Sequence, residues 1–253
     1  MKPQSGLICF LPALFIAAGC DRPSAKQTPT QIHAAGTALD SECNHSGPNP
    51  DGSVQFITTC PQTARSPDGH WKLVQTNAAG DDEAYQVYIV DAAGRTVGNV
   101  TGLNDGMPFV LYWSPRSDWF AVSHHVGSFL DQPEIFEISG TKVRRRDELR
   151  QAGAMEVRRR YPCLPEGDAW LTGGVMSWSK DGRSIAWYFT TRPDTCYEDK
   201  PLPWTNRKPG WESLLLISNV ETGAVATNSV RVLNDETLFV NLRLPTDGLY
   251  VDF

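Results

Sequence analysis

The 253-residue chain carries 23 Lys and Arg against 29 Asp and Glu, a formal net charge of −6. An acidic balance of this kind excludes general attraction to nucleic acid or to anionic lipid headgroups. Eight Trp, 21 Gly and 18 Pro, with few long apolar patterns of helical period, point to many short strands joined by turns in one domain.

The N-terminus addresses the chain to a compartment. Lys2 precedes an apolar run from Leu7 to Ala18, and Ala17, Ala18 and Gly19 lead into Cys20. This is the layout of a secretory signal, and the run is too short to span a bilayer comfortably. Its ending resembles the bacterial lipobox, although Ala17 stands where Leu is usual. The resemblance implies that residues 1–19 are a signal peptide and that Cys20 becomes the N-terminus of a lipoprotein, anchored by diacylglycerol and palmitate. Loss of Lys2 would take the net charge from −6 to −7. Asp21 resembles the inner-membrane retention signal of enteric bacteria, whereas other bacteria read different residues, so inner and outer membrane both stay open. Residues 20–42 are small and polar, with Pro23 and Pro29, and read as a flexible tether. About 20 such residues reach roughly 25 Å on average.

Residues 43–253 carry an internal repeat. RSPDGHWKLV (Arg65 to Val74), WSPRSDWFAV (Trp113 to Val122) and WSKDGRSIAW (Trp178 to Trp187) align without gaps. Each has Ser at the second position, a turn of Pro, Asp, Gly or Ser, and then an apolar strand, the pattern of a hairpin. A further strand ending in a polar turn follows in each copy: VYIVDAAG from Val87, IFEISG from Ile135 and, after an insertion, LLLISNVETG from Leu214.

These copies resemble blades of TolB-type β-propellers, whose mark is a Ser-Pro-Asp-Gly turn before an apolar strand. Ser66, Pro67, Asp68 and Gly69 match it fully, Ser114 and Pro115 in half, and Ser179, Asp181 and Gly182 with Lys180 in place of Pro. The resemblance implies an all-β, small or irregular propeller-like domain, with a β-sandwich as the alternative. Closed propellers usually have at least four blades. Val54 to Cys60 and Leu238 to Val251, with DETLFV and DGLYVDF, are the candidates for the missing strands.

The third copy carries two insertions. Strands Gly174 to Trp178 and Ser184 to Thr191 are expected to pair across the Lys180–Arg183 turn. The outer ends of a hairpin lie side by side, so the insertions that meet there bring Cys163 and Cys196 together. Four cysteines in an exported chain favour two disulfides, and three pairings exist formally. The hairpin argument selects Cys163–Cys196 and leaves Cys43–Cys60. With no close CxxC pair, zinc is the weaker alternative.

The first insertion is expected to hold one short helix, Asp147 to Arg159, stopped by Pro162. Arg144, Arg145 and Arg146 flank one end and Arg158, Arg159 and Arg160 the other. They form either a solvated face paired with Asp147, Glu148 and Glu156 or a docking patch. Tyr197, Trp204 and Trp211 in the second insertion are of a type that dominates interface energetics.

Motifs of chemistry are scarce. GxSxG, GxGxxG and GxxxxGK[ST] are all missing from the sequence. His124 and His125, with Asp131 and Glu134 downstream, are the one ligand-like cluster, and neighbours on a strand face opposite ways and share a metal poorly. The expectation is therefore a monomeric, lipid-anchored, periplasm-facing protein without catalysis, cofactor or metal. It would bind an envelope or periplasmic protein as an immunity protein, inhibitor or scaffold. A periplasmic hydrolase, or a carbohydrate or small-ligand binder using the tryptophan-rich insertion face, is the alternative.

Overall fold

Strand after strand in this chain is apolar on both faces, which requires a layer of protein on each side. The computed structural model describes residues 48–49, 51–57, 61–76, 86–103, 105–127, 130–164, 171–191, 212–233 and 243–253. They form three antiparallel sheets and one α-helix, so the chain is all-β with a single helix among the described residues.

The first sheet is the meander β2 (Gln62–Arg65), β3 (Trp71–Thr76), β4 (Gln86–Asp91) and β5 (Thr96–Asn99). The second is the meander β6 (Phe109–Trp113), β7 (Trp119–Gly127), β8 (Leu130–Ser139) and β9 (Lys142–Arg145). The third comprises β10 (Thr172–Trp178), β11 (Ser184–Thr191), β12 (Glu212–Asn219) and β13 (Arg231–Leu233). Each repeat thus supplies a sheet of four strands in chain order. β1 (Val54–Phe56) pairs antiparallel with β6, setting Val54 opposite Leu111, and so extends the second sheet rather than starting a sheet of its own.

Alternation along single strands decides which core each side chain enters. In β7, Phe120 and Val122 join Leu73, Val87 and Ile89 of the first sheet, while Trp119 and Ala121 join Val175, Trp187 and Phe189 of the third. The second sheet is therefore buried on both faces, which explains the unbroken WFAV run. β12 repeats the pattern: Leu214 and Leu216 face the second sheet, and Leu215 and Ile217 pack on Tyr250.

The helix α1 (Asp147–Arg160) falls where the sequence places it, one residue longer. Leu149, Ala154 and Val157 enter the core between the second and third sheets. Gly153 permits the approach, since a Cβ there would collide with the Phe189 ring and lie 3.2 Å from Trp187.

One expectation changes at the C-terminus. Gly248–Tyr250 form a single 3-10 turn instead of a strand. Gly248 sits at φ +61°, and the buried Tyr250 hydroxyl donates to the Ser229 carbonyl at 2.5 Å, which pins the segment across the third sheet. Asp235–Val240, the other candidate for a fourth copy, lies outside the described residues.

Candidate functional site

The three repeat turns are built alike. In the first, Gly69 N donates to Ser66 O, Ser66 Oγ donates to Asp68 Oδ1 at 2.7 Å and accepts from Trp71 N at 3.0 Å. In the third, Gly182 N donates to Ser179 O, and Ser179 Oγ donates to Asp181 Oδ1 at 2.7 Å and accepts from Ser184 N at 2.9 Å. A hydroxyl that gives one hydrogen bond and takes another satisfies both the turn carboxylate and the returning strand, which is why Ser recurs at that position. In the middle copy Ser117 takes the glycine's place at φ +62°.

The turns also touch one another. Asp68 N donates to Ser117 Oγ at 3.1 Å, and Ser114 Oγ donates to Gly182 O at 3.4 Å. One end of the three-sheet stack is thus a continuous row of turns. For Asp68, burial works to raise the carboxyl, but hydrogen bonds from Ser66, His70 and Ser117 outweigh it and hold it far below the usual range.

Immediately inside this row lies a cleft of about 640 Å³. Its wall includes Arg65, Trp113 and Trp178, the last residues of β2, β6 and β10, and all three occupy the first position of the repeat. The three meanders therefore converge on the cleft through their leading strands. Tyr112 lines it as well, with its hydroxyl pushed up to about 12 by burial and then by the charge of Asp51. Trp178 Nε1 donates to Tyr112 O at 3.0 Å, whereas the buried Trp113 Nε1 has no acceptor among the described residues.

Glutamine side chains tie the end of β1 to β2 and β3. Gln62 Nε2 donates to Gln55 O at 3.2 Å and its Oε1 accepts from Ile57 N at 2.6 Å, while Gln75 Nε2 donates to Ile57 O at 2.7 Å. Val54 of β1 and Thr63, Ala64 and Arg65 of β2 also line the cleft.

A second polar cluster lies elsewhere on the middle sheet. His124, only 2% exposed, has Nδ1 3.3 Å from Glu134 Oε1 and Nε2 3.1 Å from Asp105 Oδ1. Glu134 in turn meets Arg145 at 3.4 Å. Burial works against the His124 charge, but the Glu134 hydrogen bond and the Asp105 carboxylate prevail and raise it. His125 pairs instead with Asp131, at 2.9 Å. Among the described residues no group of three His, Cys, Asp or Glu side chains is arranged to hold a metal ion.

Of the sequence-nominated docking residues, the two arginine triplets are described, one at each end of α1. Arg144 pairs with Glu148, Arg145 with Glu134 and Asp147, Arg146 with Glu137 and Glu148, and Arg159 with Glu156. Arg146 and Arg160 also stack on Trp119 and Tyr161. The first triplet thus precedes α1 and the second, Arg158, Arg159 and Arg160, forms its last turn, with much of their charge met locally. Cys163 is disulfide-bonded. Cys20, Cys43, Cys60, Cys196, Tyr197, Trp204 and Trp211 lie outside the described residues. The cleft residues Arg65, Tyr112, Trp113 and Trp178 were not singled out from sequence. Their signal was present in the repeat, whose first position is large in all three copies.

No family model matches the chain, no curated protein matches it, and no solved structure matches it.

Proposed function

We propose that this chain is a lipid-anchored, periplasm-facing binding protein without catalysis, and that it engages a protein partner through the cleft inside the row of turns. The observation that carries this proposal is the convergence of the three repeats on one cavity. Arg65, Trp113 and Trp178 come from three sheets, hold the same position in the repeat, and line that one cavity together. Pockets lined by aromatic side chains with a few placed polar groups are the usual form of a binding site. The lipobox-like Cys20 supports the anchor, the TolB-type resemblance of the turns supports a propeller-like binding domain, and the hairpin geometry supports Cys163–Cys196.

The test is affinity capture from bacterial envelopes with the full-length protein in detergent. Wild type is compared with Arg65→Glu and with the triple variant Arg158/Arg159/Arg160→Ala. Arg65 is exposed and makes no ion pair among the described residues, so its replacement is expected to change stability by no more than about 0.5 kcal/mol. A stoichiometric partner lost with Arg65→Glu and kept by the triple variant supports the cleft. A partner lost only with the triple variant moves the surface to α1, and capture of nothing refutes the binding function.

A further inference from the structure

We infer that His124 is a proton-operated latch on the connection from the first sheet to the second: doubly protonated it holds Glu134 and Asp105 together, and with one proton it keeps Glu134 and releases Asp105. By the alternation of β7 the imidazole continues the row of Phe120 and Val122 toward the first sheet, and it is only 2% exposed. Asp105 reaches it from the connection between β5 and β6. Two residues earlier in that connection, Leu103 is buried in the core between the first two sheets. Asp105 Oδ1 also accepts from Met107 N at 3.0 Å, so the same oxygen shapes the turn and touches the imidazole.

The charged groups that bear on His124 lie on other elements. Glu134 on β8 has Oε1 3.3 Å from Nδ1, and Asp105 has Oδ1 3.1 Å from Nε2. Beyond Glu134, Arg145 of β9 lies 3.4 Å from Oε2 and also meets Asp147 of α1. His125 pairs with Asp131 instead. An imidazolium has an N–H for each of the two carboxylates, whereas a neutral imidazole has only one.

Burial decides which carboxylate keeps it. The Glu134 side chain is 9% exposed, and Arg145 serves its other oxygen, so Oε1 depends on Nδ1–H. The Asp105 side chain is 44% exposed, retains the Met107 N–H and can take hydrogen bonds from water. Stranding the buried acceptor costs more, so Nδ1 keeps the proton and the bare Nε2 lone pair faces the Asp105 carboxylate. Burial works against the His124 charge, but the Glu134 hydrogen bond and the Asp105 carboxylate prevail and raise it above 6.5. The latch is therefore shut in mild acid and opens as pH rises through the folded value.

Hydrogen–deuterium exchange on the full-length protein in detergent tests this, at about pH 5.5 and about pH 9, either side of the histidine range. After correction for the intrinsic pH dependence of exchange, peptides covering residues 100–108 are expected to lose about tenfold in protection at the higher pH, with β3 and β11 unchanged. His124→Gln is expected to show no such step, because its amide does not titrate, and Asp105→Asn a smaller one. Nitrogen NMR of the histidines is expected to show His124 losing the Nε2 proton and keeping that on Nδ1. Its signals are assigned by their absence in His124→Gln or, should that variant not fold, by their shift in Asp105→Asn. Equal protection at both pH values overturns the latch, as does a step that persists in His124→Gln. Loss spread evenly over every strand reports global stability alone and also overturns it, and deprotonation at Nδ1 overturns the release of Asp105.

Discussion

The row of turns makes a quantitative demand on two glycines that are equivalent in the repeat. Gly69 and Gly182 both sit in left-handed backbone, at φ +75° and +68°. A Cβ added at Gly69 meets nothing within 4 Å, but at Gly182 it would lie 2.7 Å from Ser114 Oγ, 2.9 Å from Arg116 Cγ and 3.2 Å from Arg116 N. An alanine in left-handed conformation costs about 1–2 kcal/mol at either site. Overpacking against a fixed neighbour adds about 1–3 kcal/mol at Gly182 alone. Ser114 is fully buried and Arg116 N is backbone, so neither can simply swing away. Gly69→Ala is therefore expected to cost about 1–2 kcal/mol and Gly182→Ala about 2–5 kcal/mol. Paired urea unfolding curves measure this, with thermal midpoints moving by about 2–4 °C per kcal/mol for a body of this size. Equal losses in the two variants would refute the claim that the second and third turns are packed against each other.

Three other outcomes follow from the packing and the charges. His124 has its pKa raised above the ordinary 6.5 by Glu134 and Asp105, with Arg145 opposing from beyond Glu134. Its stabilisation is fully present below 6.5 and lost as pH rises through the folded value, so thermal stability should decline as pH rises from 6.5 in the wild type. His124→Gln should lack that decline, and identical pH profiles in melting experiments would contradict it. Gly153→Ala should destabilise despite its better helix propensity, because about 1–3 kcal/mol of crowding against Phe189 and Trp187 exceeds the gain of about 1 kcal/mol; a rise in the unfolding midpoint would contradict that. Cys163→Ala should free one thiol, and peptide mapping after alkylation should find it at Cys196; labelling elsewhere would refute the pairing.

Much of the fold was legible because the repeats state it locally. Ser66, Ser114 and Ser179 each need a turn carboxylate or amide two residues on and a returning strand beyond, and all of that lies within ten residues. The helix was equally visible, with acids at Asp147 and Glu148 and basic residues at Arg158 to Arg160 suiting its two ends. The arginine triplets read as a patch because their partners are not all neighbours: Glu134 and Glu137 lie on β8, 11 and 9 residues before Arg145 and Arg146. β1 was expected as a strand, but its place beside β6 depends on a pairing across more than fifty residues. The cleft was hidden for a related reason. Arg65, Trp113 and Trp178 share a repeat position, yet only the stacking of three sheets shows that this position points to one cavity.

Photo-cross-linking in living cells tests the cleft most directly. A benzophenone amino acid at position 65, on the wall of the cleft, is compared with one at exposed Lys142 on β9. The cleft's role as the binding site requires one discrete cross-linked protein from position 65 and none from position 142. Equal cross-linking from both positions, or from neither, would contradict it.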